Sequence, residues 1–292
     1  MARILAVGIA TLDIINVVAS YPSEDEEVRA IEQRACRGGN ATNSLIVLSQ
    51  LGHQCRWAGT LAAESDSDTI RAELLRYNVD MAACRQYPSG KVPTSYVSLS
   101  KATGSRTIVH YRDLPEYDFE SFRRIDLDAV DWLHFEGRNV AETAKMLRHA
   151  RQQNPKLRIS VEIEKPREGI EQLFAGPSVL FFSKNYMDHC GASNPSLFLE
   201  SMRVSAPRAD LIVAVGERGA YGLAADGLAC HLPAVADLTI VDSLGAGDTF
   251  NAAVIDAYLR GASFAEALTS GNRVAGYKCT VHGFDIAAIL KH

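Results

Sequence analysis

The strongest constraint on the fold is a repeated pairing of a short, nearly continuous apolar run with a stretch of helical periodicity. Runs of the first kind stand at 3–9, 55–61, 132–135, 159–163, 179–182 and 211–215. A strand covered by helices on both faces has no solvent side, so it loses the apolar–polar alternation of a half-exposed strand. Helical patterns lie at 43–51, 67–77, 141–153, 195–204, 246–259 and 264–278. Alternation of this kind predicts a doubly wound α/β sheet, mainly parallel, with helices on both faces. With 292 residues, 47% of them hydrophobic, the chain can bury such a core without disulfide staples.

Two segments break the alternation. Residues 13–37 hold two extended runs around the acidic stretch Ser23, Glu24, Asp25, Glu26 and Glu27, which reads as a solvated loop. Residues 94–111 read as a hairpin turning through Ala102, Thr103 and Gly104. Strands without crossover helices do not join a parallel core easily. The two segments are therefore expected to form a small separate sheet, a discontinuous lid. The body is then 1–12, 38–93 and 112–292.

Charge and cysteine usage narrow the function classes. Lys and Arg number 30 against 35 Asp and Glu, a net charge of −5, which argues against nucleic acid or an anionic membrane as partner. No apolar run approaches the ~18 residues of a membrane span. The start of the chain imitates a secretory signal, but Asp13 and Asn16 interrupt it, and a buried first strand is the better reading. The six cysteines show no metal or redox spacing, which suits a reduced, cytoplasmic setting. The eight histidines show no metal-ligand spacing either, so no direct protein metal site is expected.

Two glycine-rich helix starts carry the chemistry. The first is Asp242-Ser243-Leu244-Gly245-Ala246-Gly247-Asp248-Thr249-Phe250-Asn251. Small residues there let backbone N–H groups approach an anion at the positive end of the helix dipole. It is not a Walker A loop, having no Gly-Lys-Ser/Thr, nor a dinucleotide fingerprint, since Phe250 takes the third-glycine place. Asp248 is either a helix cap or a carboxylate serving a neighbouring hydroxyl. The second start is Arg37-Gly38-Gly39-Asn40-Ala41-Thr42-Asn43-Ser44. Asn40 and Asn43 share a helical face, and amides that both donate and accept suit polyol hydroxyls; a Gly-Gly turn with an Asn cap is the alternative. Asp13 follows the first strand, at the edge where α/β sheets gather ligand groups, though a turn or capping role also fits.

Taken together, these two motifs resemble the signatures of the ribokinase-like, or PfkB, family of carbohydrate kinases. Within that family the resemblance is to its ketohexokinase branch. It is carried by 104–109 (Gly-Ser-Arg-Thr-Ile-Val), 134–139 (His-Phe-Glu-Gly-Arg-Asn), 161–168 (Val-Glu-Ile-Glu-Lys-Pro-Arg-Glu), 275–279 (Ala-Gly-Tyr-Lys-Cys) and 283–285 (Gly-Phe-Asp). It spans essentially the whole chain and is weakest at 62–92.

The resemblance implies a three-layer α/β sandwich with a β-sheet lid, and a homodimer clasped through that lid. It implies transfer of the γ-phosphoryl group of ATP to a sugar, fructose at O1, with Mg²⁺ held through water and phosphate and K⁺ a further candidate ion. Asp248 would be the catalytic base and the backbone of Gly245, Ala246 and Gly247 the anion hole. Asp13, Gly39, Asn40 and Asn43 would hold the sugar. Arg106, Lys184 and the turn Gly216-Glu217-Arg218-Gly219 would meet ATP. Other kinases of the family, acting on another ketose, a sugar acid or a nucleoside, stand as alternatives, as does a silent sugar sensor. Two departures from the pattern are Asn185 followed by Asp188, where the family often has Asn-x-x-Glu, and an extension at 286–292.

Overall fold

The computed structural model describes residues 1–287. The expected extension at 286–292 therefore lies outside the described residues from 288 onward. The chain runs through β1 (Arg3–Val7), β2 (Thr11–Val18), β3 (Glu32–Gly38), α1 (Asn40–Gln50), β4 (Gln54–Ala58), β5 (Thr60–Ala62), α2 (Ser65–Arg76), β6 (Val79–Asp80) and β7 (Arg85–Tyr87). It continues through β8 (Thr94–Ser100), β9 (Arg106–Tyr111), α3 (Phe119–Phe122), β10 (Trp132–Glu136), α4 (Val140–Gln153), β11 (Arg158–Ile163) and β12 (Val179–Ser183). Then come α5 (Lys184–His189), α6 (Pro195–Arg203), β13 (Asp210–Ala214), β14 (Ala220–Leu223), β15 (Ala229–Leu232), α7 (Ala246–Leu259) and α8 (Phe264–Lys278).

Among the described residues, nine strands form the main sheet in the order β15-β14-β13-β12-β11-β10-β1-β4-β6. From β6 to β13 every neighbour is parallel, and the β13–β14 and β14–β15 pairs at the edge are antiparallel. The sheet separates two cores. Ile4, Ala6, Trp132, Val179 and Phe181 face the core shared with α1, α2, α7 and α8. Leu5, Val7, Leu133, Phe135, Leu180 and Phe182 face the core shared with α4, α5 and α6. This is the three-layer α/β sandwich expected. At roughly 25 cal/mol per Å² of apolar surface removed from water, the two cores supply most of the folding drive.

The predicted strands and helices are found within a few residues, and for physical reasons. Ser263 accepts from the Glu266 N–H while the Glu266 carboxylate accepts from the Ser263 N–H, a capping box that starts α8 where its apolar period begins. Asn194 caps α6 with Pro195 at its first turn. One run behaves differently: 55–61 is two strands, broken at Gly59. A Cβ on Gly59 would lie 2.2 Å from the buried Trp57 ring, which packs over that point and ends β4. The antiparallel edge pair β14–β15 and the short helices α3 and α5 carry too little periodicity to be read from sequence.

A second sheet stands apart, four strands in the order β3-β2-β8-β9. It is drawn from 11–38 and 94–111, and its β9 is exposed along its whole length. Among the described residues no helix is long and apolar enough to cross a membrane.

Candidate active site

The carboxyl ends of the parallel strands share one edge of the main sheet, and the sequence motifs gather there. Gly39, with φ of 105°, caps α1; a Cβ there would lie 2.2 Å from the Ile9 carbonyl, so only glycine lets α1 start against the chain leaving β1. Gly38 leads directly into this turn, and a Cβ on it would lie 2.2 Å from Asp13 Oδ2. Asp13 is therefore held beside the Gly-Gly turn, with Thr11 Oγ1 donating to its Oδ1 at 2.9 Å.

Asp13 also belongs to a row crossing the small sheet. It pairs with Cys36 on one side and Ser95 on the other, and Ser95 pairs with His110. Directly opposed residues project to the same face, so the row presents side chains together. Ser95 Oγ and His110 Nδ1 are 3.2 Å apart. Burial, then the nearby Arg138 and Arg112, hold the His110 imidazolium pKa below its ordinary value. Sequence reasoning missed Ser95 and His110, although strand alternation from Asp13 could have suggested their register.

Asn40 and Asn43 lie on the first turn of α1 and reach different partners. Asn40 Nδ2 donates to Glu162 Oε2 at 3.1 Å and to Glu164 Oε2 at 3.3 Å. Asn43 Nδ2 donates to Asp248 Oδ2 at 2.6 Å. Asn251, one turn further along α7, donates to Glu162 Oε1 at 3.2 Å. The two helix starts are thus joined through one polar cluster between α1, α7 and the ends of β10 and β11.

Three members of that cluster, Glu136, Glu162 and Glu164, were not given roles from sequence. Their signal was present: a carboxylate at the end of an otherwise apolar buried strand needs a reason, because burying a charge is costly. Glu136 is 4% and Glu162 7% exposed. Glu136 Oε2 accepts from the Ile9 N–H at 3.0 Å, and Arg138 Nη1 donates to its Oε1 at 3.3 Å. Burial lifts the Glu162 pKa well above the ordinary carboxylate range, aided by Asp248, Glu164 and Glu136.

Asp248 is 6% exposed, on the first turn of α7. Burial pushes its pKa up to about 7; the Asn43 hydrogen bond opposes this, Glu164 and Glu136 add to it, and Arg37 opposes it. A carboxylate with a pKa near neutrality can take a proton and return it at working pH.

Ahead of Asp248, Gly245 caps α7 at φ of 75°, with no side-chain cap. A Cβ there would lie 2.1 Å from Phe284 Cζ, so the Phe284 ring closes one side of the turn. A Cβ on Gly247 would meet nothing within 4 Å. Among the described residues nothing accepts from the Gly247 or Asp248 N–H, leaving two donors at the positive end of a 14-residue helix. The turn fits an anion. Lys278, fully buried, donates to the Asp242 carbonyl at 2.8 Å, while the Leu244 N–H donates to Asp242 Oδ1 at 3.0 Å; together they brace the loop that leads in.

The other expected nucleotide contacts are more dispersed. Gly216–Arg218 forms a 3-10 turn at the carboxyl end of β13, and Gly216 and Gly219 both have positive φ. Lys184 opens α5 at the end of β12, exposed and paired with Asp188 one turn on. Asp188 is thereby engaged with Lys184. Arg106 is not brought to the cluster within one chain. It pairs with Leu99 at the far end of β9, four residues from His110, or about 13 Å at strand rise. Among the described residues no group of three or more His, Cys, Asp and Glu side chains is arranged to hold a metal ion.

A family model described as pfkB family carbohydrate kinase matches residues 1–289. The chain is 42% identical to ketohexokinase of Mus musculus over 291 residues, 97% of this chain and 98% of that protein. The ribokinase of Arabidopsis thaliana, solved with ribose and ATP, shares the fold with a TM-score of 0.82 at 17% identity, covering 99% of this chain and 98% of that one. A nucleoside kinase of Methanocaldococcus jannaschii does so with a TM-score of 0.78 at 17% identity, covering 100% and 99%. The buried carboxylate beside an open, glycine-capped helix start and the match over the whole chain agree: this chain belongs to the pfkB family of carbohydrate kinases, phosphotransferases acting on a sugar hydroxyl.

Proposed function

We propose that the protein transfers the γ-phosphoryl group of ATP to O1 of fructose, giving fructose 1-phosphate and ADP. The observation that carries the reading is the placing of the Asp248 carboxylate, with its pKa at about 7, one residue beyond the Gly247 N–H, from which nothing among the described residues accepts. A base for an attacking hydroxyl and donors for the transferring group then stand on the same helix turn.

In this reading Asp248 accepts the proton of the sugar hydroxyl as the oxygen attacks. The N–H groups of Gly245 and Gly247 stabilise charge on the group in transit, and that of Ala246, which donates to the Ser243 carbonyl at 3.2 Å, joins them only once that bond is released. Such transfer passes through a loose transition state, so alignment and charge stabilisation matter more than base strength. Asp13, Gly39, Asn40 and Asn43 hold the sugar, with amide groups that donate and accept. Gly216, Glu217, Arg218 and Gly219 form the nucleotide turn, Lys184 approaches the phosphates, and Arg106, carried away from the cluster in the single chain, would meet them only as the lid closes. No side chain is assigned to Mg²⁺, which would come with the nucleotide and would supply charge neutralisation on the polyphosphate, and K⁺ is a further candidate ion.

The four-stranded sheet acts as a lid that excludes water, which would otherwise compete as acceptor. It also forms a homodimer contact: Tyr96, Val109 and Tyr111 are 46%, 67% and 51% exposed on one of its faces, an apolar patch that a second copy would cover. The setting proposed is the cytoplasm.

Coupled ADP release across fructose, ribose, a sugar acid and a nucleoside tests the substrate. Fructose is expected to give the highest kcat/KM. Release with ribose or the nucleoside but not with fructose would overturn the assignment. Binding of fructose without ADP release from any sugar would favour a sensor.

A further inference from the structure

Arg37 is 2% exposed, next to last in β3, and no role follows for it from the sugar or nucleotide contacts above. Burying a guanidinium costs several kcal/mol unless its donors are well met, so its partners indicate what it is for. Its nearest carboxylate is a poor match: Glu73 Oε1 stands 3.5 Å from Nη2, on a side chain that is 25% exposed, and neither Nε nor Nη2 makes a hydrogen bond. A residue kept for charge pairing would present the two-pronged fork to that carboxylate. Arg37 instead directs Nη1 at α1, donating to Thr42 Oγ1 at 2.6 Å, to Asn43 Oδ1 at 2.8 Å and to the Gly38 carbonyl at 3.2 Å.

We propose that Arg37 is a positioning residue, holding the Asn43 amide in the one orientation in which its NH2 group donates to the Asp248 carboxylate. The inference rests on the reading of Asp248 as the base. The two ends of an amide are alike in shape and opposite in chemistry. Rotated by half a turn, Asn43 would set its NH2 against the guanidinium and its oxygen against the carboxylate, two repulsive contacts in a dry site. With Arg37 in place the chain Arg37 Nη1, Asn43 Oδ1, Asn43 Nδ2, Asp248 Oδ2 runs donor to acceptor without conflict. The Phe284 ring centroid lies 5.7 Å from the guanidinium carbon, and the same ring closes the Gly245 turn. Arg37 thereby touches both parts of the α7 start, the base through Asn43 and the anion turn through Phe284.

The charges around Asp248 make this orientation matter. Glu164 just beyond β11 and Glu136 on β10 favour its protonated form, while Glu162 on β11 is itself pushed up by burial and by Asp248. Asn43 from α1 and Arg37 from β3 act the other way. Removing Arg37 withdraws its own charge and frees the amide to turn.

The test compares Arg37→Met, Arg37→Lys and Asp248→Asn, reading kcat/KM for fructose between about pH 5 and pH 9 with thermal melts as a check of folding. In Arg37→Met the acidic limb is expected to move up by about one pH unit, with kcat at pH 7 down at least about tenfold and KM for ATP within about twofold. Arg37→Lys, whose compact ammonium cannot reach Thr42 and Asn43 together, is expected to show a smaller shift in the same direction. A folded Arg37→Met with an unshifted limb overturns the proposal. Should the Met variant not fold, an unshifted limb in Arg37→Lys overturns it equally. Near-normal turnover in Asp248→Asn would overturn the base itself, and this inference with it. An inactive Asp248→Asn beside an unshifted Arg37→Met limb removes only the role of Arg37.

Discussion

Asn43 donates to Asp248 across 2.6 Å although 205 positions separate the two residues in the chain. One hydrogen bond therefore joins the two helix starts that the sequence marks separately, and both residues stand where sugar and base chemistry meet. Asn43→Ala is expected to lower kcat for fructose by about 10²-fold and to raise KM for the sugar, since it removes a sugar contact and a donor to the base together. KM for ATP should stay within about twofold. Steady-state kinetics with each substrate varied in turn check this.

The raised pKa of Asp248 has a consequence for stability. Its folded-state value is about 7 against an ordinary 3.8, so between these the folded protein binds the proton more tightly than the unfolded chain. The stability this gives is complete below about pH 4 and is lost as pH rises through about 7. Above that, the ionised carboxylate sits in a buried site beside Glu162, Glu164 and Glu136. Asp248→Asn should be more stable than the parent at pH 8, by a few degrees in Tm, with the difference shrinking as pH falls towards 5. Melts of both proteins across that range test it; a less stable Asn variant at pH 8 would contradict it.

Gly245 and Gly247 stand two residues apart and should answer differently to the same change. Alanine at 245 needs φ of 75° and sets a methyl 2.1 Å from Phe284 Cζ, which should cost about 2–4 kcal/mol of stability. At 247 the methyl meets nothing within 4 Å, so Tm should hold within about 2 °C. The same methyl crowds the anion turn, and kcat should fall at least about tenfold. Equal Tm losses in the two variants would contradict this account of the turn.

The proposed dimer has a surface test. Val109 is 67% exposed between Tyr96 and Tyr111, and Val109→Glu should leave the fold intact while giving a monomer by light scattering at micromolar concentration. In the same sheet, Arg106→Ala should raise KM for ATP well beyond its effect on KM for fructose. Equal, negligible effects would remove Arg106 from the phosphates.

Much of this molecule was legible in the sequence. The apolar runs at 132–135 and 179–182 are strands because burial on both faces leaves no polar alternation, and α7 and α8 begin where Gly245 and Ser263 cap them. The split of 55–61 was hidden because Gly59 yields to the Trp57 ring, a contact no periodicity records. Asp248, Asn40 and Asn43 were legible as motif positions. Glu136, Glu162 and Glu164 showed only as carboxylates out of place on apolar strands and Arg37 only as a motif residue, because their roles arise from meeting across β10, β11, α1 and β3, which only the folded chain brings together. Arg106 shows the converse: its motif is clear, yet its strand carries it away from Asp248 in the single chain.

The most direct measurement is ³¹P NMR of the products formed from fructose and ATP with Mg²⁺, run beside Asp248→Asn. The parent protein is expected to give a fructose 1-phosphate resonance and an equal amount of ADP, and the folded Asn variant neither at a comparable rate. Phosphate appearing at O6, or the same product formed as fast by Asp248→Asn, would contradict a fructose 1-kinase that works through Asp248.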